Sequence, residues 1–206
     1  MKKPILLLLC IGLLSYPSFA QRNKTSKPEP KKETEGFVFT PVVDIKATPV
    51  KNQASTGTCW CFATTSFIES ELLRMGKGEY DLSEMFIVRN NYTDRLKDNY
   101  LRQGKGNLGP GSLSHDWLKQ FSEEGIVPEE VYTGLNYGSP THNHSELQAF
   151  INAVAAVPVQ RRKESDQYQQ IVNSILDIYL GKVPETFTYK GVTYTPRSFA
   201  ESLGIN

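Results

Sequence analysis

The sequence is poor in the side chains from which disulfide frameworks and metal sites are built. Its 206 residues include three cysteines and three histidines. Cys10 falls in an N-terminal segment that we expect to be removed, so too few thiols remain for a disulfide scaffold or a cysteine-built zinc site. His142 and His144 have the spacing of two metal ligands but lack a third. We therefore predict neither a metal nor another cofactor.

A surplus of one charge sign is also lacking. Lysine and arginine together number 23, aspartate and glutamate 22, and the two signs are interspersed along the chain. Proteins that bind nucleic acid cluster their basic residues, so we expect no nucleic-acid partner. The chain is 39% hydrophobic and 22% charged, which provides enough apolar side chains for a globular core.

Long apolar runs are absent except for residues 5–14. Two lysines precede this run, and the small residues Ser18 and Ala20 follow it. This layout is typical of a secretory signal peptide, residues 1–20, that is cleaved after Ala20. The run has about half the length that a membrane-spanning helix requires. We therefore expect a secreted or periplasmic protein without stable membrane insertion after cleavage, with a short membrane anchor as the alternative.

The next segment, residues 21–36, mixes both charge signs with prolines and has no large apolar side chain. Such a segment cannot bury enough surface to offset its ordering entropy, which predicts a disordered charged tether. We expect the folded domain to cover residues 37–206. Within it, capping residues and apolar periodicity predict helices that begin at Cys59, Ser83, Ser112 or Ser114, Ser145, Asp166 and Ser198.

Several of these elements carry more detailed expectations. The first helix has apolar residues on more than one face, which predicts a central, well-buried helix. Ser145-x-x-Gln148 has the form of a capping box, and that helix should end before Pro158. Residues flanking Lys190-Gly191 alternate in polarity and predict a β-hairpin. One apolar stripe is expected on the helix from Asp166, formed by Tyr168, Ile171, Val172, Ile175, Leu176 and Tyr179.

Residues 50–70, VKNQASTGTCWCFATTSFIES, contain the candidate chemistry. A cysteine in the first turn of a helix lies near free backbone N–H groups and the positive end of the helix dipole, which stabilise a thiolate. Cys59 is thus placed as the nucleophile of an acyl transfer. Its own N–H and the side-chain amide of Gln53 could stabilise the oxyanion. Either residue alone could be a buried thiol or a solvated loop residue, but the combination favours catalysis. Cys61 is expected to be a buried thiol.

The same segment resembles the active-site segment of the papain-like cysteine peptidases: a glutamine, a loop with glycine, then Cys-Trp-x-Phe at the start of a helix. LSEM at residues 82–85 and the glycine-rich strip and helix of residues 109–134 also resemble parts of this family in the same order. The resemblance implies an α+β papain-like fold. Of this fold the chain would contain mostly the helical N-terminal half, with extra helices and a β-hairpin, and not the β-rich C-terminal half.

By this resemblance Cys59 is the nucleophile and Gln53 the oxyanion donor, while Gly111 and Trp60 are candidates for contact with a peptide substrate. The short tether, TGTCW in place of the commoner CGSCW, and the helices after Tyr132 resemble the bleomycin hydrolase and aminopeptidase C branch. That branch implies an aminopeptidase that assembles into a homo-oligomer.

The mechanism of this family also requires a histidine as general base and an Asn or Asp to orient it. His115, His142 and His144 lie too early in the chain for that role, and we expect all three to be solvated. Residues 37–206 are therefore expected to be the N-terminal portion of a longer peptidase and to be inactive alone. A truncated, non-catalytic papain-like binding protein is the alternative, and a transglutaminase-like acyl transferase ranks below it.

Overall fold

The computed structural model describes Gly36, Phe37 and residues 39–205, and it divides into two units, residues 1–42 and 43–206. The described residues of the first unit form neither a helix nor a strand. The predicted signal peptide and nearly all of the predicted tether lie outside the described residues, so both stay predictions. Within the described ranges, no helix is long and apolar enough to span a membrane.

The described part of the second unit contains six helices and one antiparallel hairpin, whose strands pair through Thr188 and Thr193 at their centre. Helix α2 contacts α1, α3, α4 and α5, so it is the centre of the helical packing. In chain order the elements are α1 (Cys59–Arg74), α2 (Glu84–Leu101), α3 (Ser114–Glu124), α4 (Ser145–Arg161), α5 (Asp166–Leu180), β1 (Phe187–Tyr189), β2 (Val192–Tyr194) and α6 (Pro196–Leu203).

The start of α2 is surrounded by protein on all sides. Ser83 is its N-cap, as predicted, and the Ser83 hydroxyl accepts the N–H of Phe86 at 3.1 Å. The same hydroxyl donates to the carbonyl of Tyr132, 2.5 Å away. Each residue from 82 to 88 is at most 3% exposed. A helix that is buried around its whole circumference has no polar face, and this explains the apolar sequence of its first two turns.

The prediction that the first helix is central and well buried is wrong in part. Helix α1 begins at Cys59, as expected, and Trp60, Ile68 and Leu72 belong to the core. Phe67, however, is 63% exposed, and Phe62 is only half-buried. Apolar residues on two faces therefore do not mean that both faces are covered by the described residues.

Two predictions for α4 are wrong because its residues find tertiary partners. The Ser145-x-x-Gln148 capping box does not form; instead, the Gln148 amide donates to the carbonyl of Leu108 at 2.6 Å. The helix also continues through Pro158 to Arg161. Ala155 and Pro158 are buried on the same face, so packing compensates for the hydrogen bond that proline cannot donate.

Later elements follow the sequence patterns more closely. Lys190 and Gly191 have φ values of 48° and 81°, the left-handed geometry that a two-residue hairpin turn requires, so the predicted hairpin is confirmed. The stripe on α5 is confirmed except at Ile171, which is 53% exposed. The resulting mainly helical α+β architecture agrees with the predicted fold class.

Candidate active site

Cys59 is the first residue of α1, and its thiol is free and exposed. The N-cap residue, Thr58, does not use its side chain for capping, because its Oγ1 lies 2.6 Å from Oγ1 of Thr56. No side chain in the described part of the chain caps the first turn. The backbone N–H groups of Cys59 and Trp60 therefore stay available to a negative charge that develops beside the sulfur.

The loop between Gln53 and Cys59 is folded back by short-range hydrogen bonds. Oδ1 of Asn52 accepts the N–H of Ala54 at 2.8 Å, and the Thr56 hydroxyl donates to the carbonyl of Gln53 at 3.0 Å. Ala54 has a φ of 51°, in the left-handed region. These turns place the half-buried Gln53 in the compact loop that leads directly to the nucleophile candidate.

A glycine-rich strip, residues 107–111, lies against this loop and the start of α1. The indole Nε1 of Trp60 donates to the carbonyl of Pro110 at 3.0 Å. Gly57 has a φ of 68°, and a Cβ on it would lie 2.8 Å from Cγ of Pro110. Glycine is thus required here both for its backbone geometry and for the close approach of the strip. The other end of the strip is held by Arg95, whose Nη1 donates to the carbonyls of Asn107 and Gly109 at 3.1 and 2.9 Å.

The candidates for substrate contact have different environments. Gly111 is exposed, and no atom lies within 4 Å of the position that a Cβ would take. Trp60 is 7% exposed, and its one polar group is engaged by Pro110. Trp60 therefore holds the strip through its hydrogen bond to Pro110. Contact of Trp60 or of Gly111 with a substrate stays a prediction.

The prediction of solvated histidines is confirmed for His115, whose side chain is 72% exposed, but is wrong for His142 and His144. The latter are 9% and 2% exposed. The N–H of Ser55 donates to the carbonyl of His142 at 3.1 Å, and the N–H of His144 donates to the carbonyl of Ser55 at 3.1 Å. This pairing draws the segment against the loop before Cys59 and buries both imidazoles, which no local pattern indicates.

The sequence profile described as "Papain family cysteine protease" matches residues 42–203, a range that includes the Gln53–Cys59 loop and the strip. The chain belongs to the papain family of cysteine proteases. This membership favours a peptidase over the transglutaminase-like alternative. It also agrees with the order of motifs around Cys59, although the individual roles of the residues remain predictions.

Individual relatives are similar over part of their length. Cysteine proteinase 1 of Entamoeba histolytica is 27% identical over 157 residues, covering 74% of this chain and 46% of the relative. The mitochondrial Cysteine proteinase 1 of Saccharomyces cerevisiae is 38% identical over 122 residues, 50% of this chain and 25% of the relative. The crystal structure of PepW from Lactobacillus rhamnosis HN001 superposes with a TM-score of 0.53 at 18% identity, covering 79% of this chain and 45% of PepW. The chain thus spans less than half the length of each, and the PepW likeness shows the papain-like fold.

Sequence reasoning missed a buried ion cluster next to the papain-family loop. Nζ of Lys51 lies 2.9 Å from Oε1 of Glu69 on α1 and 3.0 Å from Oε1 of Glu84 on α2. It also lies 2.6 Å from Oδ1 of Asp81 and donates to the carbonyl of Leu82. The cluster ties the chain two residues before Gln53 to the second half of α1 and to the first residue of α2. The available sequence signal was the position of Glu69 and Glu84, each on a helix face whose other residues are mainly apolar. A carboxylate in such a position is almost never buried without a partner, which predicts a nearby cation.

Glu84 of this cluster and the nearby Glu129 have raised pKa values. Burial raises the pKa of Glu84 to about 7, although the nearby Lys51 ammonium opposes the shift. Burial, reinforced by the charge of Glu84, likewise raises the pKa of Glu129 to about 8. Cys61, the second thiol, is fully buried with its Sγ 3.3 Å from the carbonyl of Glu84, and burial raises its pKa. The predicted buried thiol is thereby confirmed, and the reactive candidate is Cys59.

Proposed function

We propose that this chain is the N-terminal part of a secreted or periplasmic cysteine peptidase of the bleomycin hydrolase and aminopeptidase C branch. The observation that supports a catalytic role most directly is the free, exposed thiol of Cys59 at a helix start whose N–H groups have no side-chain cap among the described residues. The fold and the family membership agree with it. The aminopeptidase mode and a homo-oligomeric assembly rest on the branch resemblance.

In the proposed reaction the Cys59 thiolate attacks the carbonyl carbon of a peptide, and a C–S bond forms. The negative charge moves to the carbonyl oxygen, where the N–H of Cys59 and the side-chain amide of Gln53 stabilise it. The C–N bond then breaks, and the leaving amine takes up a proton from a general acid. Water hydrolyses the resulting thioester and regenerates the thiolate.

The general acid is proposed to be a histidine that lies outside residues 1–206. His142 and His144 are buried beneath the loop, and His115 lies on α3 with its Nε2 3.0 Å from Oδ1 of Asp116. Substrate would lie along the exposed Gly111, since a residue without a side chain lets another backbone approach closely. Nothing in the described residues selects a particular side chain of the substrate.

This proposal can be tested on the chain itself with an activated ester. Attack by the Cys59 thiolate on a p-nitrophenyl ester of a blocked amino acid releases p-nitrophenolate, a leaving group that requires no general acid. We expect one acyl group per chain, mapped to Cys59 by mass spectrometry, and no turnover of the matching peptide amide. Cys59→Ala should abolish the label, whereas the matched control Cys61→Ala should retain it.

A papain-directed peptidyl epoxide provides the second arm, applied to this chain and to a longer form that includes any downstream coding sequence. Labelling of the longer form at Cys59 with peptide hydrolysis would support the peptidase. Absence of acylation and of epoxide labelling in both forms would refute it. The non-catalytic binding protein would then be favoured.

A further inference from the structure

The loop before Cys59 is tied to a distant segment at its midpoint. Ser55 exchanges two backbone hydrogen bonds with His142 and His144, each 3.1 Å long, and forms a parallel bridge with Asn143. A second contact fixes the far side of this segment, since the Tyr137 hydroxyl accepts the N–H of Asn143 at 2.6 Å. Residues 142–144, here termed the loop tether, therefore hold the loop between the oxyanion donor candidate and the nucleophile candidate.

The loop tether contains two buried imidazoles, those of His142 and His144. Nδ1 of His144 lies 3.4 Å from the hydroxyl of Tyr92 on α2, and the rings of His142 and His144 are 6.1 Å apart. Nδ1 of His142 and Nε2 of His144 are buried without a hydrogen-bond partner among the described residues. A protonated imidazole has two N–H donors, so protonation would bury additional unsatisfied donors and a charge.

The electrostatic surroundings favour the neutral form. On α2 the group next to His144 is Tyr92, whose own charged neighbour is the cationic Arg95, while the loop tether itself contributes His142. The loop's only titratable side chain is Cys59, and Glu146 at the start of α4 is exposed. Burial, and then the neighbouring His142, lower the pKa of His144 to about 4, and burial also lowers the pKa of His142. No carboxylate contributes to either shift.

We propose that the loop tether is a positioning device that keeps Gln53 in place for oxyanion stabilisation only while His142 and His144 are neutral. This rests on the proposed function, because Gln53 has a catalytic role only if Cys59 forms acyl-enzymes. Neither histidine touches the reacting atoms in this proposal. Both act through the two hydrogen bonds to Ser55, which fix the loop between Gln53 and Cys59.

The acid sensitivity of the loop can be estimated from the acidity of His144. If opening the tether returns His144 to its ordinary pKa of about 6.5, each proton that binds favours the open loop. With a pKa of about 4 in the closed state, the open fraction should rise about 30-fold between about pH 7.5 and about pH 5. This change is large enough to appear in hydrogen exchange of the amides of Ser55 and His144, whose protection depends on the two tether bonds.

The first test is hydrogen exchange of the full chain, corrected for the intrinsic pH dependence of exchange. We expect about a 30-fold loss of protection at Ser55 by about pH 5, while the amides of the α2 core stay protected. The combined variant His142→Gln and His144→Gln should abolish this pH dependence, whereas the exposed-histidine control His115→Gln should retain it. Equal protection of Ser55 at both pH values in the unmodified chain would overturn the proposal, as would an unchanged pH dependence in the double variant.

The second test connects the tether to Gln53. At about pH 7.5, Gln53→Ala should slow acylation of Cys59 by the p-nitrophenyl ester about 10- to 100-fold, while the exposed control Gln167→Ala should not. Ser55→Pro removes the N–H that binds His142, so in that background Gln53→Ala should have little further effect. Alkylation of Cys59 by iodoacetamide, which forms no oxyanion, should be similar in all these variants, and this separates positioning from general unfolding.

The outcomes distinguish the two proposals. If Gln53→Ala slows acylation equally with and without the Ser55 hydrogen bond, the tether does not position Gln53, and only this inference fails. If Cys59 does not form an acyl-enzyme at all, the proposed function fails, and the hydrogen-exchange experiment still decides whether neutral imidazoles hold the loop closed.

Discussion

Replacing Lys51 with methionine would remove a partly buried ammonium group and leave the two buried carboxylates, Glu69 and Glu84, without their cation. Methionine keeps most of the apolar stem of the lysine, so the change mainly affects charge. Glu69 would retain two donors, the hydroxyl of Thr48 at 2.6 Å and the N–H of Leu82 at 2.7 Å. Glu84 would lose its cationic partner, which lies 3.0 Å away. The larger part of the destabilisation should therefore come from Glu84.

The expected loss follows from the burial of this cluster. Removing one partner of a buried ion pair costs about 3–5 kcal/mol of the free energy of unfolding. The side chain of Lys51 is still 23% exposed, which allows partial solvation and favours the lower end, about 3 kcal/mol. The exposed control Lys97→Met, on α2, should change the free energy of unfolding by less than about 0.5 kcal/mol.

The loss should depend on pH in a defined direction. Burial already raises the pKa of Glu84 to about 7, above its value in the unfolded chain, and the removal of Lys51 should raise it further. The native variant then binds more protons than the unfolded chain, so its stability relative to the parent protein should recover as pH falls from about 7.5 to about 5. We expect the deficit to shrink by a little under about 1 kcal/mol, to about 2 kcal/mol, because Glu84 of the parent protein, with a pKa of about 7, already takes up most of the same proton over this range.

Urea unfolding followed by far-UV circular dichroism at both pH values would measure this effect in the parent protein, Lys51→Met and Lys97→Met. Comparing differences between variants cancels the titration of groups that all three share. The reasoning is refuted if Lys51→Met costs no more than Lys97→Met at about pH 7.5. It is also refuted if the deficit stays constant or grows on acidification, since that would mean that Glu84 does not take up the proton.

Three further changes have defined outcomes. Ser83→Ala removes the cap of α2 and a donor to Tyr132, and should lower the free energy of unfolding by about 1–2 kcal/mol in urea titrations. Gly57→Ala places a Cβ 2.8 Å from Cγ of Pro110 at a φ of 68°, and should cost about 1–2 kcal/mol and slow acylation of Cys59. Burial lowers the pKa of His144 to about 4, so the native state with neutral His144 has its full free energy of unfolding above about pH 6.5 and loses part of it as pH falls towards about 4. His144→Gln does not have this loss, so over that range its free energy of unfolding should rise by up to about 3 kcal/mol relative to that of the parent in pH-dependent unfolding.

The elements that the sequence predicts correctly are those that local chemistry determines. The Ser83 cap, the Lys190-Gly191 turn and the position of Cys59 at a helix start depend on neighbours within a few residues. For the same reason the candidate nucleophile could be identified without a structure. The glycine at position 57 belongs to this group too, although its close contact with Pro110 does not.

The features that could not be predicted depend on residues far apart in the chain. Gln148 has a suitable spacing for a capping box, but a carbonyl at Leu108 offers a better-placed acceptor for its amide. His142 and His144 stand among polar residues and look solvated, yet pairing with Ser55 buries them. Local propensity loses in such cases because one tertiary contact changes the environment of the whole segment.

The backbone of Ala54 shows why the loop before Cys59 needs several supports. A non-glycine residue at a φ of 51° costs about 1 kcal/mol or more, and such a conformation persists only when the surroundings fix it. Three contacts hold the loop and the chain just before it. Lys51 anchors the preceding residues to α1 and α2, Ser55 binds the loop tether of residues 142–144, and Gly57 packs on Pro110. Since no two of these contacts involve the same residue of the loop, loss of one should loosen a part of it without releasing the whole. An oxyanion donor must be in place before charge develops. A strained, multiply anchored loop of this kind is what the proposed role of Gln53 as an oxyanion donor requires.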